Sequence, residues 1–315
     1  MLVTSAGRKV PLIRAMVVAL KRINPMGKVI AGDSDPLSPA QFFAEDFWAM
    51  PVLNEMGAAE LFKQLKSRRV TTVFPTRDGE LSFWAALKTD LAAEGIHVVV
   101  SPTNALNRCL DKLEFAQWAQ ERDLPVIPAS LDASAYGNRP LVVKERFGSG
   151  AKGVALNLTV RAAQSHAQHL TSPIFQPYIA GEEISIDAFL DQNSMLHGLS
   201  IRSRDNVING ESAVTTTFRN EKIEAEAGGF LTELELQGPV VMQAILTDDG
   251  MEVIEVNPRF GGASTASIAV GLDLLYWALA ENKTREGGLP RFERAEKNVR
   301  QIRVPHDKVL YGSDF

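Results

Sequence analysis

Apolar positions change their period along this chain, and the change divides it. In the first hundred residues, short continuous apolar runs alternate with stretches whose apolar residues recur every three or four positions. Leu2-Val3-Thr4, Val29 to Asp33, Val70 to Pro75 and Ile96 to Val100 read as strands. Leu12, Ala15, Met16, Ala19 and Leu20 mark one amphipathic helix, and Leu81 to Ala92 a second. Strands alternating with helices predict a parallel sheet covered on both faces. Ligands of such sheets gather at the carboxyl ends of the strands. Thr4-Ser5-Ala6-Gly7, Asp33-Ser34-Asp35 and the loop Thr76-Arg77-Asp78-Gly79-Glu80 fall there.

Ser101-Pro102 is a natural junction, followed by helices over Thr103 to Cys109 and Asp111 to Arg122. The pattern then becomes strand-rich. Runs at 141–144, 154–158, 173–178, 184–190, 195–202, 213–218, 239–246 and 251–256 are separated by turns and by helices near 160–170 and 221–235. This half reads as α+β and mainly antiparallel.

Composition narrows the class of protein. The chain has 315 residues, 45% hydrophobic and 23% charged, which suits a soluble globular protein of about two domains. A net charge of −5 argues against a nucleic-acid or anionic-membrane partner. Cys109 is the single cysteine, so no intrachain disulfide forms and a cytoplasmic setting is expected. No apolar run is long enough to span a membrane. His97, His166, His169, His197 and His306 stand in no motif with serine and aspartate, which disfavours a hydrolase triad.

Three stretches carry chemistry. Phe147-Gly148-Ser149-Gly150-Ala151-Lys152-Gly153 joins two strands, and such a loop offers free N–H donors to phosphates. It is not a Walker A motif, and an ordinary glycine hairpin is the competing reading. Lys144 ends the apolar run before it, either holding its ammonium over an anion or simply solvated. Phe175-Gln176-Pro177-Tyr178-Ile179-Ala180-Gly181-Glu182-Glu183 suits an extended connector whose backbone could meet a purine edge and whose Glu183 could meet a ribose; a turn entering an acidic strand fits as well. The sharpest is Met251 to Arg259. Alternation along a strand puts Val253, Glu255 and Asn257 on one face and Ile254 and Val256 on the other. A carboxylate beside an amide oxygen is hard-oxygen ligation suited to Mg²⁺. A turn at Asp248-Asp249-Gly250 pairs this strand with the one bearing Gln243, a further oxygen. Arg259 suits a transferring phosphoryl group, while solvated polar residues on an edge strand are the alternative.

Taken in order and spacing, the loop from Phe147 to Gly153, Gly181-Glu182-Glu183, Gln243 and Glu255-Val256-Asn257-Pro258-Arg259 resemble the ATP-grasp superfamily. Within it the chain is most similar to one half of the carbamoyl-phosphate synthase large subunit and its short stand-alone relatives. Thr4 to Val10 and Pro75 to Glu80 resemble the substrate loops of the domain preceding ATP-grasp in that subgroup. The resemblance implies a Rossmann-like parallel-sheet domain over 1–101, then a two-lobed ATP-grasp module: a small lobe with the glycine-rich loop over 102–172 and a large lobe with the Mg-binding strands over 173–315. It implies that Lys112 and Lys144 contact ATP phosphates and that Gly148, Ser149, Gly150 and Gly153 belong to the phosphate loop. Gln176, Pro177, Tyr178 and Ile179 become the adenine connector, mostly through backbone, and Glu183 the ribose-binding carboxylate. Gln243, Glu255 and Asn257 become Mg²⁺ ligands, with Mn²⁺ as a substitute, and Arg259 stabilises an acyl-phosphate step. Arg202 and Arg204 are either binders of an acidic substrate group or parts of a solvated strand.

The implied activity is an ATP-dependent, ADP-forming carboxylate–amine ligase acting on small molecules, with a homodimer through the first domain expected. Two alternatives stand beside it. One is a half-synthase phosphorylating bicarbonate or carbamate with an ammonia-supplying partner. The other is a non-catalytic ATP-binding regulatory subunit. Arg8, Asp33, Asp35, Arg77 and Asp78 have no assigned role at this stage.

Overall fold

The computed structural model, which describes residues 1–281, 288–304 and 307–312, contains two larger, dissimilar sheets and a smaller one. His306, one of the five histidines, lies outside the described residues.

The first domain runs β1 (Leu2–Val3), α1 (Val10–Ile23), β2 (Ile30–Asp33), β3 (Asp46–Ala49), α2 (Ala58–Ser67), β4 (Thr72–Phe74), α3 (Asp78–Ala93) and β5 (His97–Val98). Its sheet is parallel throughout, in the order β3-β2-β1-β4-β5. The two-residue β1 lies at the centre, paired on both sides and fully buried. Leu12, Ile13, Met16, Ala19 and Leu20 form the buried stripe of α1, with Pro11 in its first turn, where a missing N–H costs nothing. Each large apolar side chain buried there contributes about 1.5–3 kcal/mol. On the opposite face Leu61, Leu65, Leu81 and Trp84 cover the sheet.

Two features escaped the periodicity. The edge strand β3 and helix α2 were not predicted. Also, α3 starts at Asp78, so Asp78-Gly79-Glu80 is its first turn rather than a loop. Buried Glu80 explains this: its Oε1 accepts from the backbone N–H groups of Thr76 and Arg77 at 2.9 and 3.1 Å and closes the turn.

Next come α4 (Thr103–Leu110), α5 (Lys112–Gln120), β6 (Leu141–Glu145), β7 (Ala155–Leu158), α6 (Val160–Ala167) and β8 (Pro173–Pro177). Strands β7-β6-β8 form a three-stranded antiparallel sheet. This sheet takes in residues 173–177, which the sequence reading gave to the following lobe. Helices α4 and α5, expected in the small lobe, instead pack Ala105, Cys109, Leu113, Phe115 and Ala119 into the core of the large sheet.

The remainder is β9 (Glu182–Leu190), β10 (Leu196–Ser203), β11 (Asn206–Ile208), β12 (Glu211–Phe218), α7 (Glu221–Glu233), β13 (Gly238–Thr247), β14 (Gly250–Asn257), α8 (Thr265–Ala269), α9 (Leu274–Ala280) and β15 (Arg300–Ile302). The antiparallel sheet has the order β11-β12-β10-β9-β13-β14, with β15 on β12. Helix α9 returns to the first domain, where Leu274, Leu275, Trp277 and Ala278 share a core with Leu12, Ile13 and Met16 of α1. The first domain and the large lobe are therefore joined by apolar packing.

Candidate active site

Strand β14 sets the geometry. Gln243 on β13 stands opposite Glu255, but Ala244 stands opposite Val253, so Ile254 is an extra residue in the ladder. The bulge corrects the expected faces. Val253 and Val256 both enter the core, at 0% and 2% exposure, while Glu255 and Asn257 turn to the cleft. Strict alternation would have put Val253 beside Glu255. Although β14 ends the sheet, the chain at 125–127 covers its outer edge through backbone bonds to Val253.

Glu255 is the hub. Its Oε1 accepts from Asn257 Nδ2 at 3.1 Å, and Lys112 Nζ stands 3.9 Å from its Oε2. With the Gln243 amide oriented to satisfy both neighbours, its nitrogen donates to Glu255 at 2.7 Å and its oxygen accepts from Arg204 at 2.8 Å. Glu183 at the start of β9 pairs with Arg204 at 3.0 Å. Burial pushes the Glu183 carboxyl up, against the pull of Arg204. Lys144 follows Leu141 and Val143, whose side chains enter the small-lobe core, so its own side chain enters the cleft, where it is buried. Burial brings its pKa down to about 8, opposed by Glu255 and reinforced by Lys112, with Glu183 opposing more weakly.

The glycine-rich loop caps this cluster. Asp111 caps α5 through the N–H groups of Leu113 and Glu114 and holds Arg146 through both carboxylate oxygens. Lys112, placed by that turn, donates to the Gly148 carbonyl at 2.6 Å. His166 meets the Gly153 carbonyl at 2.8 Å. In the stretch expected to be the connector, buried Gln176 donates to the Ile127 carbonyl at 2.9 Å, and Tyr178 N–H donates to the Pro140 carbonyl. Pro177 is buried, and Tyr178 and Ile179 are half-buried.

A cavity of about 1350 Å³ runs from Glu255, Asn257 and Gln243 to the carboxyl ends of β1, β2 and β4. Ser149 and Gly150 line it, as do Arg8, Asp33, Asp35 and Arg77 of the first domain. Lys112, Lys144, Glu183 and residues 176–179 lie outside its lining; Lys112 connects to it through Glu255, and Glu183 through Arg204. Arg202 and Arg204 are not part of a solvated strand. Arg202 is 3% exposed and donates to Asp187 at 2.8 Å, a carboxylate that also accepts from Ser264 and Ser267. Arg204 is committed to Glu183, Gln243 and the Gly210 carbonyl. Arg259 likewise has a partner, Asp78.

Sequence reasoning missed a second charged group on the cavity wall. Glu211 pairs with Arg303 and lies 3.9 Å from Lys9. Burial pushes the Lys9 ammonium down and Glu211 opposes it. Lys9 belongs to the stretch Thr4 to Val10 already singled out, whereas Arg303 sits in a C-terminal segment with no local motif.

Among the described residues no compact cluster of three or more His, Cys, Asp or Glu side chains could hold a metal ion. The donor set at Glu255, Asn257 and Gln243, one carboxylate and two amides, still fits a hard cation whose remaining ligands are phosphate oxygens. Among those residues no helix is long and apolar enough to cross a membrane.

Residues 109–263 match the ATP-grasp domain family, and residues 1–99 match the PylC-like N-terminal domain family. The chain thus carries a PylC-like N-terminal domain followed by an ATP-grasp domain. ATP-grasp enzymes use ATP with Mg²⁺. Solved structures share the fold at low identity. Biotin carboxylase from Campylobacter jejuni, in complex with a β,γ-ATP ligand, aligns at a TM-score of 0.74 and 16% identity, over 95% of this chain and 74% of that one. N5-carboxyaminoimidazole synthetase from Staphylococcus aureus, complexed with ADP, aligns at 0.70 and 16%, over 95% and 80%. An L-amino acid ligase from Bacillus licheniformis aligns at 0.68 and 18%, over 91% and 74%.

Proposed function

We propose that this chain joins a small carboxylic acid to an amine, with ATP cleaved to ADP and phosphate through an acyl phosphate. The observation that carries it is the convergence of Lys112, Lys144, Glu183, Glu255 and Asn257 under one glycine loop, at the end of a cavity that opens toward the first domain. Lys144 and Lys112 neutralise the triphosphate, with loop N–H groups adding donors. Residues 176–179 and Glu183 hold the nucleoside. Glu255, Asn257 and Gln243 would hold Mg²⁺, which when bound supplies further positive charge to the phosphates. The substrate carboxylate oxygen attacks the γ-phosphorus, the bond to the β-phosphate oxygen breaks, and Arg259 stabilises the charge that develops. The amine, held on the side of Asp33, Asp35 and Arg77, then displaces phosphate. Holding both reactants in one cavity contributes up to ~7–11 kcal/mol of the barrier reduction.

The test is Mg²⁺-dependent ADP release against a panel of amino acids, dipeptides, sugar acids and bicarbonate, with Glu255→Ala as control. Release requiring one acid plus one amine, and absent from the control, is the expected result. Release with bicarbonate alone would replace the ligase by the carboxyphosphate-forming alternative. Thermal stabilisation by ATP with no turnover from any pair would favour the regulatory subunit.

A further inference from the structure

Arg259 is not free to swing. Asp78, the first residue of α3 in the other domain, accepts from its Nε at 2.6 Å and from its Nη2 at 2.8 Å. Nη2 also reaches Asn257 Oδ1 at 3.2 Å, whereas Nη1 has only a long contact, 3.4 Å to the Phe260 carbonyl. Both side chains are largely buried, with 16% of Arg259 and 11% of Asp78 exposed. We propose that Asp78 is a positioning residue for the ligation: it fixes the Arg259 guanidinium across the domain boundary and leaves Nη1 as the donor for the transferring phosphoryl oxygen. This rests on the ligase function proposed above.

Three features support it. A bidentate fork removes both the rotation and the tilt of a guanidinium, which a single bond would leave. The carboxylate sits in the first turn of a helix, where the dipole favours negative charge, and Glu80 locks the backbone of that turn. Burial pushes the Asp78 carboxyl up, but Arg259, Ser149 of the glycine loop and Lys112 together hold it below the usual range, so it stays ionised. The first domain therefore supplies more than a wall for the substrate. It sets the angle of the arginine at the reacting end of the nucleotide.

A double-mutant cycle tests this, read in the substrate pair found to support ADP release. Asp78→Ala and the isosteric Asp78→Asn should each lower kcat by about 100-fold, with KM for ATP within about threefold. Because Asp78 acts through Arg259, Asp78→Ala added to Arg259→Ala should cost no more than about a further twofold. A double loss equal to the product of the single losses would overturn the positioning role. So would unchanged kcat with only a lower melting temperature, which marks simple adhesion between domains. A raised KM for the acid or amine at unchanged kcat would make Asp78 a substrate ligand instead, and overturn it too. Wild-type turnover in Arg259→Ala would remove the arginine from the reaction and take the proposed chemistry down first. Should Asp78→Ala not fold, Asp78→Asn carries the same cycle.

Discussion

The two sides of the candidate active site are made in different ways. On the large-lobe side, the working groups are side chains set on a ladder. Glu183, Gln243, Glu255 and Asn257 come from three hydrogen-bonded strands whose opposite faces lie in the core. On the other side the glycine loop is exposed from 147 to 153 and has no core of its own. It is tied down by single contacts: Lys112 to Gly148, Ser149 to Asp78, His166 to Gly153, and the close approach of Gly150 to Gly210. Charges that must be placed to a fraction of an ångström sit where packing fixes them. On the proposed function the loop opens for ATP to enter, and it is held by contacts that can be broken one at a time. Side-chain deletions should therefore be severe on the ladder and mild on the loop.

The largest effect should come from Glu255→Gln. It keeps the volume and removes the charge that balances Lys112 and Lys144. ADP release should fall by about 10²–10³-fold, while the melting temperature moves by no more than about 3 °C. A loss of stability matching the loss of activity would mean that Glu255 serves the ladder rather than the reaction.

Lys144 sharpens the comparison through pH. Its pKa, brought down to about 8 by burial, leaves it charged below that pH and neutral above it. kcat/KM for ATP should be level up to about pH 8 and then fall about tenfold per unit as the ammonium is lost. With ATP bound, the phosphates favour the ammonium, so kcat should bend at a higher pH. In Lys144→Arg the bend near 8 should vanish. A profile that rises through this range would reverse the sign and exclude Lys144 as the phosphate cation.

Much of this contrast is legible in the sequence, and its limits are physical. Glu255, Asn257 and Gln243 fall where alternation and the Asp248-Asp249-Gly250 turn place them, because ladder register is a local property. The one error there, Val253, comes from a bulge, which no period of two foresees. The parallel sheet followed from the strand–helix alternation, yet the short edge strand β3 was missed, and so was helix α2, although its buried Leu61 and Leu65 stand at helical spacing. The domain boundary at 172–173 misplaced β8 because strand pairing, not composition, assigns it to the small sheet. What the sequence could not hold is partnership across distance. Arg202 with Asp187, Arg204 with Glu183, Arg259 with Asp78 and Glu211 with Arg303 join residues 15, 21, 181 and 92 positions apart. An arginine read alone looks like a substrate ligand, and its carboxylate partner is visible only after folding.

The smallest effects should be on the loop, and they should follow backbone rather than side chain. Gly210 turns the β11–β12 hairpin at φ +77°, and a Cβ there would stand 3.0 Å from the carbonyl carbon of Gly150. Gly210→Ala carries a left-handed backbone cost of about 1 kcal/mol and pushes the loop off its seat. KM for ATP should rise by about three- to tenfold with kcat within about twofold, since the ladder is untouched. Ser149→Ala removes the hydroxyl that meets Asp78 but no N–H donor, and the two bonds from Arg259 still hold Asp78, so both constants should stay within about twofold. Steady-state kinetics on the two variants decide the matter. If Ser149→Ala costs more than Gly210→Ala, the loop grips ATP through its side chain, and the division between a side-chain ladder and a backbone cover fails.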